Sequence, residues 1–252
     1  MTQLPGGGVV RFARAAVAVR VARGGAVLCG WDGAEAAPSR QLGAPMPEAD
    51  PRAALEPDTQ GGWRVVSERV TVGVSARGAV EIRTPGGALL RRDEPPRWWE
   101  TAEAGHDSGR WVLRGQVAAD ARFLRAAGPV GEPSLPDGAY RVGESGRGGG
   151  RPPALAQPAL VVTASAGTHL VWYDLAGEGV LAVRRGREGG GSGHDVPGGA
   201  QLRVGGGPLR YWVLVGAPER VLPGWAALVG PRVTQAGDDA SGTLFRGGAG
   251  RL

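Results

Sequence analysis

The chain has no lysine and no asparagine, a single isoleucine at Ile82, a single cysteine at Cys29, and only three Phe and three Tyr. Each scarcity excludes something. Without lysine there is no phosphate-loop lysine to reach a nucleotide. One cysteine closes no internal disulfide, so no oxidising compartment is implied, and Cys29 reads as a small residue in a strand. Histidine is limited to His106, His169 and His194, too far apart for a short-spaced ligand set, so no metal site is expected. No run approaches the ~18 uninterrupted apolar residues of a spanning helix. The first 30 residues carry Arg11, Arg14, Arg20 and Arg23 where a secretory signal needs a clean apolar region. These absences give the expectation of a cytoplasmic protein without membrane contact.

What is present is glycine and proline, 46 and 20 in 252 residues, beside 42% hydrophobic residues. The first figure raises the question of disorder; the second supplies enough apolar material for one large domain. All 29 basic charges are arginine, against 24 acids, for a net charge of +5. Spread along the chain in this way, with no Lys at all, they read as compositional bias and a solvated surface rather than a nucleic-acid face. The densest runs, Arg91 with Arg92 and Arg184, Arg185 with Arg187, fall beside Gly-rich turns and read as short charged stretches.

Strand signals dominate. Val17, Val19 and Val21 alternate with Ala18, Arg20 and Ala22, Gly24 and Gly25 turn the chain, and Ala26 to Cys29 return, as a hairpin does. Prolines between residues 36 and 59 mark an exposed connection. Ala79 to Thr84 and Ala88 to Arg92 form a second hairpin, with Val80 and Ile82 expected opposite Leu89 or Leu90. Five further Val-rich runs between residues 160 and 215 complete an antiparallel sandwich or barrel. One helix is expected: Pro218 suits a first helical position, Val221, Leu222, Trp225, Leu228 and Val229 share a face, and Gly230 with Pro231 end it. Pro223 lies inside and removes a backbone donor.

Catalytic motifs fail individually. Gly190 to Asp195 has a Ser between glycines, but the serine-hydrolase elbow lacks its last Gly and its strand-to-helix setting. Gly177, Gly179 and Ala182 match a dinucleotide fingerprint by count, yet Val180 to Arg184 continues as a strand rather than opening a helix. No acid pair is singled out for the ~5–10 Å carboxylate separation of a glycosidase. No cofactor is expected. Of the eight tryptophans, Trp212 and Trp225 read as core, and of the adjacent Trp98 and Trp99 one is expected to be exposed.

Four stretches together resemble the N-terminal β-sandwich domain of glycoside hydrolase family 31, the α-glucosidases. Val70–Arg92 is similar to paired strands ahead of the family's substrate loop, and Ala118–Phe123 to the lead-in of its Phe-Gly-Leu-Gly-Glu turn. Ala166–Asp174 resembles the strand and loop that in the family usually reads Gly-x-x-x-x-Asn or Asp, and Pro208–Gly230 the last sandwich strand with its linker helix. The resemblance implies an all-β fold, an antiparallel galactose-mutarotase-like sandwich with one short C-terminal helix. It divides the chain into an N-terminal arm (1–16), sandwich (17–216), linker helix (217–230) and flexible tail (231–252). It makes Trp172 and Asp174 the carbohydrate-binding candidates, and an α-glucoside or a separately encoded catalytic barrel the partner.

There are departures. Leu124, Arg125 and Ala126 replace the Gly-Leu-Gly-Glu turn, and the loop from Arg141 to Gly148 keeps only Glu144 as an acid. The family's catalytic aspartates belong to a (β/α)₈ barrel of ~250 residues, which the 22 positions after Gly230 cannot hold, so a chain truncated before its active site and not catalytic alone is expected. A stand-alone scaffolding domain and a decayed gene product remain the alternatives.

Overall fold

The computed structural model describes residues 1–39, 41–43, 45–59, 61–100, 109–127, 134–143, 153–155, 157–190 and 193–230. The expected flexible tail (231–252), His106, Ser192 and Glu144 lie outside the described residues.

The strands are, in order, β1 (Thr2–Leu4), β2 (Gly7–Arg11), β3 (Ala16–Val21), β4 (Val27–Trp31), β5 (Leu55–Pro57), β6 (Trp63–Val66), β7 (Thr71–Val74), β8 (Val80–Arg83), β9 (Leu89–Asp93), β10 (Arg97–Glu100) and β11 (Gly109–Val117). There follow β12 (Arg122–Arg125), β13 (Gly138–Val142), β14 (Ala159–Ala164), β15 (Gly167–Tyr173), β16 (Gly179–Arg184), β17 (Gly198–Val204) and β18 (Arg210–Val215), and then helix α1 (Pro218–Val229). They form two antiparallel sheets, an all-β sandwich. The first has the order β1-β2-β3-β4-β18-β15-β14-β12; the second runs β13-β16-β17-β11-β9-β8-β7-β6-β5, with β10 also on β11. Residues 1–16, expected as an arm, supply β1 and β2, and Val10 pairs with Val17.

The period-two pattern decides which side of each strand faces inward. Val17, Val19 and Val21 of β3 pack with Val72, Val74, Val80 and Ile82 of the second sheet in the main core. The hairpin of β3 and β4 forms as the sequence predicts, Val21 opposite Val27. In the connection between residues 36 and 59, Ala53 and Leu55 are buried, because β5 continues the second sheet.

The first sheet is covered on its other side too. Helix α1 begins with Pro218 in its first turn and ends at Gly230, and it lays Val221, Trp225, Leu228 and Val229 on Leu28, Leu170, Trp172, Trp212 and Leu214. Pro223 sits inside the helix, which runs through it because tertiary packing outweighs one absent hydrogen bond. Trp225 is 3% exposed. Trp225→Ala should therefore lower stability by about 3 kcal/mol, read as a reduced urea midpoint; an unchanged midpoint would remove α1 from the fold's essential contacts.

Candidate functional site

Trp172 and Asp174 stand at the end of β15, and the structure encloses both. Trp172 is fully buried beneath α1, beside its register partner Trp212 on β18. Its indole N–H has no hydrogen-bond partner. No ring face is open for a sugar to stack on. Asp174 is 2% exposed, and its Oδ2 accepts from Arg210 Nε at 2.5 Å. Arg210 Nη1 in turn donates to the carbonyls of Ala34, at 3.1 Å, and Ala37. This ion pair ties β18 to the segment that follows β4. The pair borders a recess of about 250 Å³ with Pro38, Leu175, Ala176 and Pro208. The carboxylate thus spends its charge on Arg210, and the placement gives both residues packing roles.

A cluster that the sequence reading missed lies between the sheets. Arg91 and Asp93 of β9 are fully buried. The register puts Ile82 opposite Arg91 and Val80 opposite Asp93, so the residues facing the β8 apolar pair are charged rather than Leu89 or Leu90. A bulge between Ile82 and Arg83 shifts the register and sets this phase. Arg91 Nε donates to Asp93 Oδ2 at 3.0 Å, and Nη2 lies 2.7 Å from Oδ1. From the opposite sheet, Tyr211 Oη donates to Asp93 Oδ2 at 2.9 Å, and Arg91 Nη2 donates to Tyr173 Oη at 3.2 Å. The network therefore bridges the sandwich. On β11, a Cβ at Gly115 would lie 2.3 Å from Arg91 Nη2, so only glycine leaves room for the guanidinium.

The electrostatics follow from this enclosure. Burial would lower the basicity of Arg91, but the Asp93 carboxylate outweighs it and holds the guanidinium charged. Burial, reinforced by Asp93, pushes the Cys29 thiol up to about 12. Burial raises both tyrosines, Tyr211 well above its usual range. His169 on β15, 1% exposed, is pushed down to about 3, first by burial and then by the Arg91 charge, so it is neutral. Its Nε2 and Arg91 Nη1 have no hydrogen-bond partner. Perturbed groups often mark catalysis, but substrate has no route to these. Their chemistry is to lock two sheets in register.

Two further sequence motifs are structural where they are described. Asp195 accepts from the Gly189 amide at 2.8 Å across the loop that resembled a hydrolase elbow. Gly179–Arg184 is a strand, as the failed dinucleotide fingerprint implied. No group of three His, Cys, Asp or Glu among the described residues could hold a metal ion. No described helix is long and apolar enough to cross a membrane. On the surface, Trp98 is 45% exposed and lies against Trp111 with ring centroids 4.7 Å apart. Trp111 Nε1 donates to the Gly207 carbonyl at 3.0 Å, fixing this aromatic platform at one end of the second sheet.

Similar solved structures share this architecture. A glucosidase II α subunit bound to DNJ is similar at a TM-score of 0.65 and 12% identity, covering 86% of this chain and 30% of that one. A GH31 dextranase of Flavobacterium johnsoniae complexed with glucose gives 0.64 at 13% identity, covering 88% and 26%. The α-1,4-glucan lyase of Gracilariopsis lemaneiformis gives 0.53 at 13%, covering 87% and 27%. This is a fold found within glycoside hydrolase family 31 structures. The chain spans less than a third of their length. No family model and no curated protein matches its sequence.

Proposed function

We propose that this chain is a sandwich module of the family 31 glycoside hydrolase kind, without catalytic groups of its own, which supports a catalytic barrel and contributes a contact to its α-glucoside. The observation that carries the reading is the fold likeness, which takes in most of this chain and about 30% of the glucosidase II subunit. The burial of the strongly perturbed titratable groups among the described residues agrees with a module that binds and supports rather than reacts. The sugar contact is assigned to the open Trp98 ring rather than to Trp172, since stacking needs an accessible face.

Titration with maltose or isomaltose is expected to change tryptophan emission, and Trp98→Ala to abolish the change. The purified chain is expected to leave an α-glucoside uncleaved. Cleavage by this chain unaided would overturn the non-catalytic reading. Emission indifferent to both sugars would overturn the sugar contact and favour a scaffolding role.

A further inference from the structure

Period-two alternation sends every second residue of the ten-stranded sheet outward, and its central strands bring together arginines far apart in sequence. One row runs Arg184, Gly199, Gln116 and Arg92 across β16, β17, β11 and β9. The next runs Ala182, Gln201 and Arg114, and the third Val180, Arg203, Val112 and Arg97. Adjacent strands lie about 4.8 Å apart and successive outward residues of one strand about 7 Å apart, so Arg92, Arg97 and Arg203 stand one strand and one row from Arg114, and Arg184 two strands and one row from it. Arg92 is 3.6 Å from Glu81, but Arg97, Arg114, Arg184 and Arg203 make no ion pair among the described residues. All four are exposed. At the centre the small residues Gly199 and Ala182 leave a concavity of about 310 Å³, edged by Glu94, Arg114, Gln116, Arg184 and Gln201.

Like charges on one face that no described residue pairs repel each other and favour an anionic occupant, which they attract over about 10 Å at 0.1 M salt. We infer that this outer face binds an acidic polysaccharide, its carboxylates or sulfates on the arginines and its hydroxyls on Gln116, Gln201 and Glu94. The described residues that line the concavity include no aromatic ring, and sequence-tolerant binding of single-stranded nucleic acid depends on such rings to stack bases. The choice of a saccharide over another polyanion rests on the glycoside hydrolase reading above, whereas the site rests on the charge pattern. It is also distinct from the Trp98 contact, which takes a neutral sugar.

The test is a binding titration of the whole chain with polygalacturonate and with dextran sulfate, against neutral dextran, poly-glutamate and poly(dT). Polygalacturonate or dextran sulfate should bind and weaken as salt rises from 50 to 300 mM, and neutral dextran should not bind at this face. Which of the two binds tells carboxylate from sulfate recognition. The variant Arg114→Ala/Arg184→Ala/Arg203→Ala should bind about tenfold more weakly. The control Arg11→Ala/Arg77→Ala/Arg122→Ala, with the same charge removed from other exposed positions, should stay within about twofold. Equal losses in the two variants would overturn the site. Binding of poly-glutamate or poly(dT) as tight as that of either polysaccharide would overturn the occupant. Maltose responses at Trp98 are read separately, so this inference and the α-glucoside contact fail independently.

Discussion

Asp93→Ala is expected to destabilise the protein by about 3–5 kcal/mol, enough to leave a typical domain marginal. The substitution leaves Arg91 charged with no counterion in the middle of the sandwich and takes the acceptor from Tyr211. A cavity alone at this site would cost less, because a short side chain is removed; the larger part is the uncompensated guanidinium, which has no water to turn to. The control is the pair replaced together: Arg91→Met/Asp93→Leu should recover most of the loss, since desolvating two charges offsets much of what their attraction contributes. Urea unfolding of the three proteins gives the comparison directly. A single variant within about 1 kcal/mol of the parent would mean that the pair does not hold the sheets.

This cluster shows how far the sequence could be read. Val-rich alternation and Gly turns marked the hairpins, because one buried face imposes period two. Pro218, the apolar stripe and Gly230 marked α1, because helix ends have their own chemistry. The charged run from Arg91 to Asp93 looked like a solvated stretch beside a turn. Its signal was phase: Arg91 and Asp93 fall on the alternation that carries Val80 and Ile82 inward, while Arg92 falls on the other. Reading it required the bulge at Ile82 and Arg83, which no local motif announces.

Trp172 offers a similar lesson. His169 to Tyr173 is an unbroken apolar run after the histidine, the pattern of a strand covered on both sides. The structure puts Trp172 under α1 in keeping with that pattern, whereas the family resemblance had made it a carbohydrate-binding candidate. Residues 1–16, expected as an arm, instead carry a strand that pairs with β3 and sends Val10 into the main core. The basic outer face was hidden by composition. With arginine everywhere, only strand register shows which of them converge.

His169 should make stability depend on pH. In the unfolded chain its pKa is near 6.5, and in the folded protein it is held down to about 3 by burial and by Arg91. Between these values the unfolded state binds a proton that the native state refuses, so stability rises with pH and falls on acidification. The penalty is absent above about pH 7 and grows by about 1.4 kcal/mol per pH unit below 6.5, reaching roughly 3 kcal/mol near pH 4. Below about pH 3 the folded protein also protonates and the slope from this group vanishes. Surface carboxylates add their own acid dependence, and His169→Leu isolates the histidine. The variant should match the parent's melting temperature trend above pH 7 and hold up better at pH 4 to 5, the difference in slope amounting to one proton. Parallel pH profiles for the two proteins would show that His169 is reached by solvent or protonated in place.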